Sequence, residues 1–581
     1  MRSNLVALAL SPLCHSLVSA TGFRTVGSSG ASPQMVFIPP YTDTAVFIDN
    51  YHENYGGPGY DIKTGKHSTT PYLYVGTKTS VFGTEYNLTS NTIRPVKPLS
   101  NTFCSAGAFF PNGTLLNMAG AEDARGIAEG FDKLRTYNPG PCNGACDSDW
   151  VELNTKLQVY RWYTSAQTMV DGSILVVGGS NKGGLVLNEA SVNVPTYEIV
   201  HKDGRASKTP ITLPILEFTK AENLVPGKSY NLYPILHALP NAGVENHILT
   251  VAGNRTVIWD YTNDVLVKAL PDTPMQPRTF PSSATSVLLP LSYPNYEPTV
   301  LVCGGSSGDI PVPKALDDCW TINPSSENPV WNAHEKLPNG PQVMSDGILL
   351  PNGKVLFING AQQGCAGGYQ AEEPVLVPLL YDPRGPAGSR FTSMPATTIP
   401  RIYHSVATLL PSGEVLVAGS NPAVGYSASG KVNNGWPMFN NNGHRCALQQ
   451  QQSELSSYPT EYRVEIFSPP YLSAISSHGR PLITAQPASI AYGASFTIEA
   501  RLERGARLRG DTQITLVAPG FHTHGQAMGQ KLVRLGFRAA PNSYAFTVQA
   551  PRDASVIPPG VYLLFVVQDD VPSVGKWISI A

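Results

Sequence analysis

The sequence predicts an all-β protein in which a seven-bladed β-propeller is followed by an immunoglobulin-like β-sandwich. Turns are dense, because 53 glycines and 51 prolines occur among 581 residues, and a hydrophobic fraction of 42% is sufficient for packed cores. A hairpin pattern that ends in glycine recurs six times along the chain. After Ser468-Pro469-Pro470 this pattern gives way to short alternating strands.

Residues 1–20 have the composition of a secretion signal. Arg2 precedes the short apolar stretch Leu5–Leu10, and Val18 and Ala20 have the small-residue spacing of a cleavage site. The stretch is too short to cross a bilayer. A buried N-terminal strand is the alternative. We expect residues 1–20 to be removed and the mature chain to be secreted.

Composition narrows the classes of partner. Charged residues make up 14% of the chain and the formal net charge is -2, so we expect neither nucleic acid nor an anionic membrane as a partner. No later run of residues reaches transmembrane length. Three sequons, at Asn87, Asn112 and Asn254, fit a secreted glycoprotein.

The six glycine-ended repeats predict propeller blades within residues 21–468. Each combines an apolar strand, a turn and a second apolar strand, as in GAFFPNGTLLNMAG, which ends at Gly120. The others end at Gly179, Gly253, Gly305, Gly360 and Gly419. A period near ~50 residues is typical of kelch-type blades. A pair of β-sandwiches is the alternative, but it explains the glycine-ended repeats less well.

The seventh blade is predicted to come from both ends of this region. Segments 34–49 and 462–467 are strand-like, and combining them would hide the sheet edges that an open array exposes. Residues 469–581 are predicted to form the separate sandwich. Its strand-like segments are 495–500, 513–518, 543–549 and 560–568.

The cysteine count points to one cysteine with a different fate. The chain has 8 cysteines, and removal of Cys14 with the signal leaves an odd number. Pairs close enough in the repeats to form disulfides are Cys142–Cys146, Cys303–Cys319 and Cys365–Cys446. Cys104 is then left alone at the start of a repeat, where a buried small hydrophobic residue is the simplest explanation.

Residues of the types that bind copper stand at the start of two repeats and in one distant loop. Arg161-Trp162-Tyr163 and Arg401-Ile402-Tyr403-His404 stand at equivalent repeat positions, which face the same centre in a propeller. The loop adds His522 and His524. Two imidazoles, two phenolates and an open position suit Cu(II). Taken singly each residue is weak evidence, since tyrosines are usually core residues and lone histidines usually satisfied polar groups.

Taken together, these segments resemble the site segments of the galactose oxidase and glyoxal oxidase family of copper radical oxidases, in the same chain order. The segments are Phe103-Cys104-Ser105-Ala106-Gly107, Arg161-Trp162-Tyr163, Arg401-Ile402-Tyr403-His404-Ser405, and Thr523-His524 followed by Gln530-Lys531. Residues 193–198 and 458–463 look more like the glyoxal oxidase branch. The resemblance covers nearly the whole mature chain and implies the same propeller and sandwich.

The resemblance implies a role for each site residue. Cys104 would be joined through its sulfur to the ring of Tyr163, and this thioether-linked tyrosyl radical would act with a copper ion as the cofactor. Tyr163, His404 and His524 would be equatorial copper ligands, and Tyr403 the axial ligand. The odd cysteine is thereby explained.

Two positions need comment within this resemblance. His522 is the alternative to His524, and the spacing to Gln530 favours His524. In galactose oxidase a tryptophan stacks over the modified tyrosine just after the glycine pair of its blade. Here Gly178-Gly179-Ser180 is followed by Asn181, so the stacking partner is absent or comes from elsewhere. This departure argues against sugar oxidation.

The implied activity is oxidation of small aldehydes such as glyoxal and methylglyoxal, as hydrates, to carboxylic acids while O2 becomes H2O2. Tyr403 would accept the substrate proton, and the Tyr163 radical would abstract hydrogen from the substrate carbon. One alternative is an oxidase of primary alcohols. Another is a secreted kelch binding protein, which would leave the site residues as coincidence. We expect a monomer that works beside a peroxide-using enzyme.

Overall fold

Seven antiparallel sheets of four or more strands are built mainly from the residues before Pro469 in the computed structural model. The structure describes residues 20–49, 82–96, 98–123, 127–138, 149–183, 188–221, 229–240, 246–274, 276–307, 314–368, 370–422, 458–475, 479–508 and 510–581, with four two-residue strands at 60–61, 66–67, 74–75 and 79–80. Its two described helices are Pro214–Ala221 and Pro470–Ser473. The expected all-β class is confirmed.

Six of the seven sheets have four strands, and the first has six because a C-terminal hairpin joins it. The first contains Met35–Phe37, Thr44–Ile48, Gly83–Asn87, Thr92–Pro95, Phe521–Thr523 and Gln526–Met528; the second Ala106–Phe109, Leu115–Met118, Lys133–Tyr137 and Val151–Lys156; the third Ser165–Thr168, Ile174–Val177, Thr196–Val200 and Ile211–Thr212; the fourth Ile235–Ala238, His247–Ala252, Arg255–Asp260 and Val265–Leu270. The fifth contains Thr285–Leu288, Val300–Cys303, Cys319–Ile322 and Asn332–Ala333; the sixth Asp346–Leu349, Val355–Ile358, Leu379–Tyr381 and Phe391–Ser393; the seventh Ser405–Leu409, Val415–Gly419, Arg463–Ser468 and Gly22–Ser28.

One strand of each sheet contacts the corresponding strand of a neighbouring sheet, and we call these seven the inner strands. They are Met35–Phe37, Ala106–Phe109, Ser165–Thr168, Ile235–Ala238, Thr285–Leu288, Asp346–Leu349 and Ser405–Leu409. Most neighbouring inner strands contact one another, and the hairpin of Phe521–Thr523 and Gln526–Met528 contacts six of them. Second strands such as Ile174–Val177 are wholly buried because both faces of each sheet are covered. The outermost strand Val265–Leu270 is largely exposed.

Hairpin turns carry the glycines that the repeats predicted. Gly172 follows Asp171 and Gly413 follows Ser412, with φ of 82° and 83° in the left-handed region that favours glycine. Asp171 also accepts a hydrogen bond from the backbone nitrogen of Ser173 at 2.9 Å. These turn residues separate the two strands of each hairpin, so the strands appear in the sequence as two apolar runs.

The prediction that segments 34–49 and 462–467 combine in one sheet is wrong. Arg463–Ser468 pairs with Gly22–Ser28, whereas Met35–Phe37 and Thr44–Ile48 belong to a different sheet with Gly83–Asn87. Gly22–Ser28 lies at an outer edge and is only partly buried. An edge strand needs little apolar patterning, so its sequence gave no strong signal.

Two further sheets follow Pro470 and share one apolar core. One contains Pro481–Ala485, Ser495–Leu502, Ala545–Gln549 and Phe537–Ala539; the other contains Lys531–Leu535, Thr512–Ala518, Gly560–Gln568, Lys576–Ile580 and Ser489–Ile490, with Val571–Pro572 beside it. Ile498 and Val548 of one sheet pack with Leu516 and Val566 of the other. Leu291–Ser292 adds a parallel edge strand to the second sheet. Short two-stranded sheets pair Ala361–Gly364 with Ala371–Pro374, Tyr60–Asp61 with Lys66–His67, and Tyr74–Val75 with Thr79–Ser80.

The predicted disulfide between Cys303 and Cys319 is confirmed. Cys142, Cys146 and Cys446 lie outside the described residues, so the other two predicted disulfides stay predictions. Cys104 is a buried free thiol. In the described part of the chain, helices are too short or too polar to traverse a bilayer.

Candidate metal centre

Cys104, Tyr163 and His404 occupy the same place in three sheets, one or two residues before an inner strand. Their φ values are 52°, 60° and 63°, in the left-handed region that side chains seldom adopt. The backbone nitrogen of Tyr163 donates to the carbonyl of Cys104 at 3.3 Å. Because the loop geometry repeats from sheet to sheet, the three side chains converge.

His524 reaches the same region from the C-terminal hairpin. It follows Phe521–Thr523, which pairs with the inner strand Met35–Phe37, and it too has a positive φ of 52°. The hydroxyl of Thr523 lies 2.6 Å from Nδ1 of His524, while Nε2 lies 3.4 Å from Sγ of Cys104. Nε2 is thus directed toward the converging side chains.

The structure brings together all five predicted site residues. The ligand atoms of Cys104, His404 and His524 lie within 4.8 Å of one another, and all three residues are buried. The hydroxyl oxygens of Tyr163 and Tyr403 are 3.0 Å apart. The ring of Tyr403 stacks on His404 with 3.6 Å between centroids. His522 stays outside this cluster, with Nε2 2.7 Å from the carbonyl of Pro519.

Burial keeps these groups neutral. It raises the pKa of Tyr163 and Tyr403 well above the ordinary phenol value, and it raises the pKa of the Cys104 thiol, whose hydrogen bond to Tyr163 acts in the opposite direction. Burial lowers the pKa of His524 to about 3, and it lowers that of His404 well below its ordinary value. Neutral imidazole is the form that binds metals.

The donor set fits a copper ion. Both ring nitrogens of His404 are buried and have no hydrogen-bond partner within the described residues. Leaving a buried polar group unpaired is costly, and a metal ion would satisfy it. Imidazole nitrogens and phenolate oxygens are ligands that suit Cu(II). Tyr163, Tyr403, His404 and His524 are the residues positioned to hold it.

Sequence reasoning missed two aromatic residues beside Tyr163. The ring centroid of Phe280 lies 4.5 Å from that of Tyr163, and the ring centroid of Tyr233 lies 5.0 Å from it. Trp162, already part of a sequence motif, has its ring centroid 4.9 Å from that of Tyr163. Tyr233 occupies the position before its inner strand that Tyr163 occupies in the preceding sheet, which was a usable signal. Phe280 stands in a loop with no repeat signature. Asn181 is exposed and supplies no ring.

An all-β protein with a buried thiol, two phenols and two imidazoles at one centre has the architecture and donor set of the copper radical oxidase class. Residues 43–435 match the family model described as glyoxal oxidase N-terminus, and residues 480–580 match the galactose oxidase-like early set domain. The chain therefore belongs to the glyoxal oxidase family, and the predicted enzyme class, a copper radical oxidase, is confirmed.

Relatives agree with this family. Aldehyde oxidase GLOX of Vitis pseudoreticulata is 34% identical over 504 residues, covering 85% of this chain and 84% of the relative. Aldehyde oxidase GLOX1 of Arabidopsis thaliana is 34% identical over 513 residues, covering 85% and 74%. Among solved structures, a fungal alcohol oxidase in complex with copper matches with a TM-score of 0.70 and 17% identity, covering 97% of this chain and 100% of that one. At that identity the likeness concerns the fold alone.

Proposed function

We propose that this protein oxidises small aldehydes, as their hydrates, to carboxylic acids and reduces O2 to H2O2. The observation that carries this proposal is the buried convergence of Cys104, Tyr163, Tyr403, His404 and His524. The plant relatives named aldehyde oxidases favour aldehydes over alcohols. A protein that only binds ligands would leave this set of redox and metal-binding groups unexplained.

Copper would be held by Tyr163, Tyr403, His404 and His524, with Cys104 joined to the ring of Tyr163. The thioether replaces an S–H bond and a ring C–H bond by one S–C bond, and O2 would take up the two hydrogens as H2O2. The contact between the Cys104 thiol and Tyr163 supports this cross-link. When bound, copper would supply one oxidising equivalent and the modified tyrosine the other.

Within the site, Tyr403 would hold the proton taken from the substrate hydroxyl. Its oxygen lies 3.0 Å from that of Tyr163, where the hydrogen-abstracting group is proposed to be. A buried phenol is a poor base, so Tyr403 acts only when a cation stabilises its phenolate. The rings of Phe103, Trp162 and Phe280 surround the cluster and keep bulk water from it.

The seven sheets are proposed to close into a seven-bladed propeller with the hairpin of Phe521–Thr523 and Gln526–Met528 in its central channel. Contacts between neighbouring inner strands, and between the hairpin and six of them, support this arrangement. We propose residues 21–468 as the propeller domain and residues 469–581 as the immunoglobulin-like sandwich that contributes His524.

We further propose a secreted, glycosylated monomer whose first 20 residues are a signal. The disulfide between Cys303 and Cys319 supports this location, since such bonds persist in oxidising compartments. H2O2 released outside the cell would be available to a peroxide-using enzyme.

The deciding experiment compares substrates on copper-loaded protein in air. With methylglyoxal as substrate the protein should release H2O2, whereas with galactose it should release little. A simple primary alcohol is the direct competitor, and peroxide from that alcohol alone would overturn the aldehyde proposal. Intact mass on the same sample should show the loss of two hydrogens, and Cys104→Ala should not show that loss.

A further inference from the structure

A cavity that is partly open to solvent lies between the inner strands and the C-terminal sheets. Its lining includes residues at the far ends of four inner strands. These residues are Phe109, Thr168, Ala238 and Leu288. Cys104 and Tyr163 precede two of these strands, Ala106–Phe109 and Ser165–Thr168. A four-residue strand rises ~13 Å, so the cavity and the metal centre lie at opposite ends of the inner strands.

The cavity contains a buried amine. Lys531 is 5% exposed, lines the cavity, and donates from Nζ to the carbonyl oxygen of Ala238 at 3.0 Å. None of the described residues that line the cavity is an aspartate or a glutamate. Burial lowers the pKa of Lys531 to about 7, so much of it is a neutral amine at neutral pH.

The other titratable groups of the lining supply no counter-charge. Burial, with a smaller contribution from Lys531 in its charged form, lowers the pKa of His237 to about 3. Nε2 of His237 lies 2.8 Å from the hydroxyl of Ser286. Burial raises the pKa of Tyr562, which donates its hydroxyl proton to the carbonyl of Pro558 at 2.5 Å. The remaining wall is mostly apolar, with Ile38, Leu236 and Val561 among its residues.

We propose that this cavity is a second carbonyl-binding site, in which the amine of Lys531 forms a reversible imine with small aldehydes. Nζ adds to the carbonyl carbon and the carbon–oxygen double bond opens. A carbon–nitrogen double bond then forms, and the carbonyl oxygen leaves as water with the two amine hydrogens. No oxidant or reductant is consumed. Apolar walls favour the loss of water.

An anion is the competing occupant, and the contacts of the lining argue against it. Anions are held by several N–H donors at once, but the side-chain amide of Gln530 already donates to Gly347 and that of Gln167 to Thr168. Both amides are therefore engaged elsewhere, and Lys531 is the one amine in the described lining. A neutral amine in an apolar cavity is suited to a carbonyl carbon.

The test uses metal-free full-length protein with limiting acetaldehyde and cyanoborohydride at neutral pH, followed by peptide mapping. Cyanoborohydride reduces an imine to a stable ethyl-amine. We expect at least about tenfold more ethyl label on Lys531 than on Lys336, because an ordinary lysine, with a pKa near ~10.4, is almost fully protonated at neutral pH. Lys336 is the matched control, 75% exposed and 3.0 Å from Asp317. Label on Lys336 without label on Lys531 would overturn the proposal.

Two further arms separate the explanations. Lys531→Met should remove the cavity label and leave that of Lys336 unchanged, although the wild-type map decides the question even if this variant misfolds. If Lys531 takes up no ethyl label, while acetate binds the wild-type protein and not Lys531→Met, the proposal is overturned and the cavity is assigned to anions instead. Because the protein is metal-free, neither result depends on the oxidase activity.

Discussion

Tyr403→Phe is the sharpest test of the proposed proton transfer. The change removes one oxygen and keeps the ring, which stacks on His404 at 3.6 Å. We expect copper to bind through the other ligands and turnover to fall ~10²–10⁴-fold, the usual worth of a general base. At 1.36 kcal/mol for each factor of ten, this is about 2.7–5.4 kcal/mol of the activation barrier.

The structure gives no substitute base in the cluster. Burial lowers the pKa of His524 to about 3 and that of His404 well below its ordinary value, so neither imidazole would accept the proton. The hydroxyl of Tyr403 is the group that lies 3.0 Å from the oxygen of Tyr163. Its loss leaves the Tyr163 hydroxyl without that partner, which should cost about 1–3 kcal/mol of unfolding free energy.

The assay measures peroxide release from methylglyoxal, bound copper, and urea unfolding on the same preparations. Tyr137→Phe is the matched control, since Tyr137 is also buried and donates its hydroxyl proton to Glu85. We expect this control to lose comparable stability and to retain turnover. Wild-type turnover in copper-loaded Tyr403→Phe would refute the assignment, because another group would then be accepting the proton.

Three other results are expected. Cys104→Ala removes a buried thiol but no proposed ligand, so copper content should persist while turnover falls severely; wild-type turnover would reject the thioether role. Glu198→Gln leaves the fully buried guanidinium of Arg161 without its counter-charge, so unfolding free energy in urea should fall about 3–5 kcal/mol, and a loss near zero would contradict this. Burial lowers the pKa of His237 to about 3, below the ~6.5 of the unfolded state. As the pH falls between these two values, only the unfolded state gains the proton, so the unfolding free energy of the metal-free protein should fall. The His237→Gln variant should lose less unfolding free energy over the same pH range.

The repeat pattern predicted most of the fold because its signals are local. A glycine-ended hairpin needs only a turn residue and two apolar runs, and both are visible in the chain. The pairing of Gly22–Ser28 with Arg463–Ser468 was missed, because it joins distant segments and one of them is a half-exposed edge strand. Non-local pairing at an exposed edge leaves little trace in either segment.

The same distinction applies to the site. Tyr163, Tyr403, His404 and His524 stand in short motifs, so sequence reasoning found them. Phe280 contacts Tyr163 only because the loop before the fifth sheet meets the position before the third, and no short motif records that contact. Position 181 supplies no ring, and Phe280 places one beside Tyr163 from a different part of the chain, tilted by 47° to it.

The positive φ values at the metal centre are a feature of the fold and are not confined to the proposed ligands. Residues before the inner strands share a positive φ whether or not they are proposed ligands; they are Cys104, Tyr163, Tyr233, Ser283, Met344 and His404. Backbone hydrogen bonds link neighbours among them, as from Met344 to the carbonyl of Ser283 at 3.0 Å. Six of the seven sheets thus have one residue with a positive φ just before the inner strand. The chemistry depends on which side chains occupy these positions. They supply one imidazole, that of His404, and the second, that of His524, comes from the C-terminal hairpin.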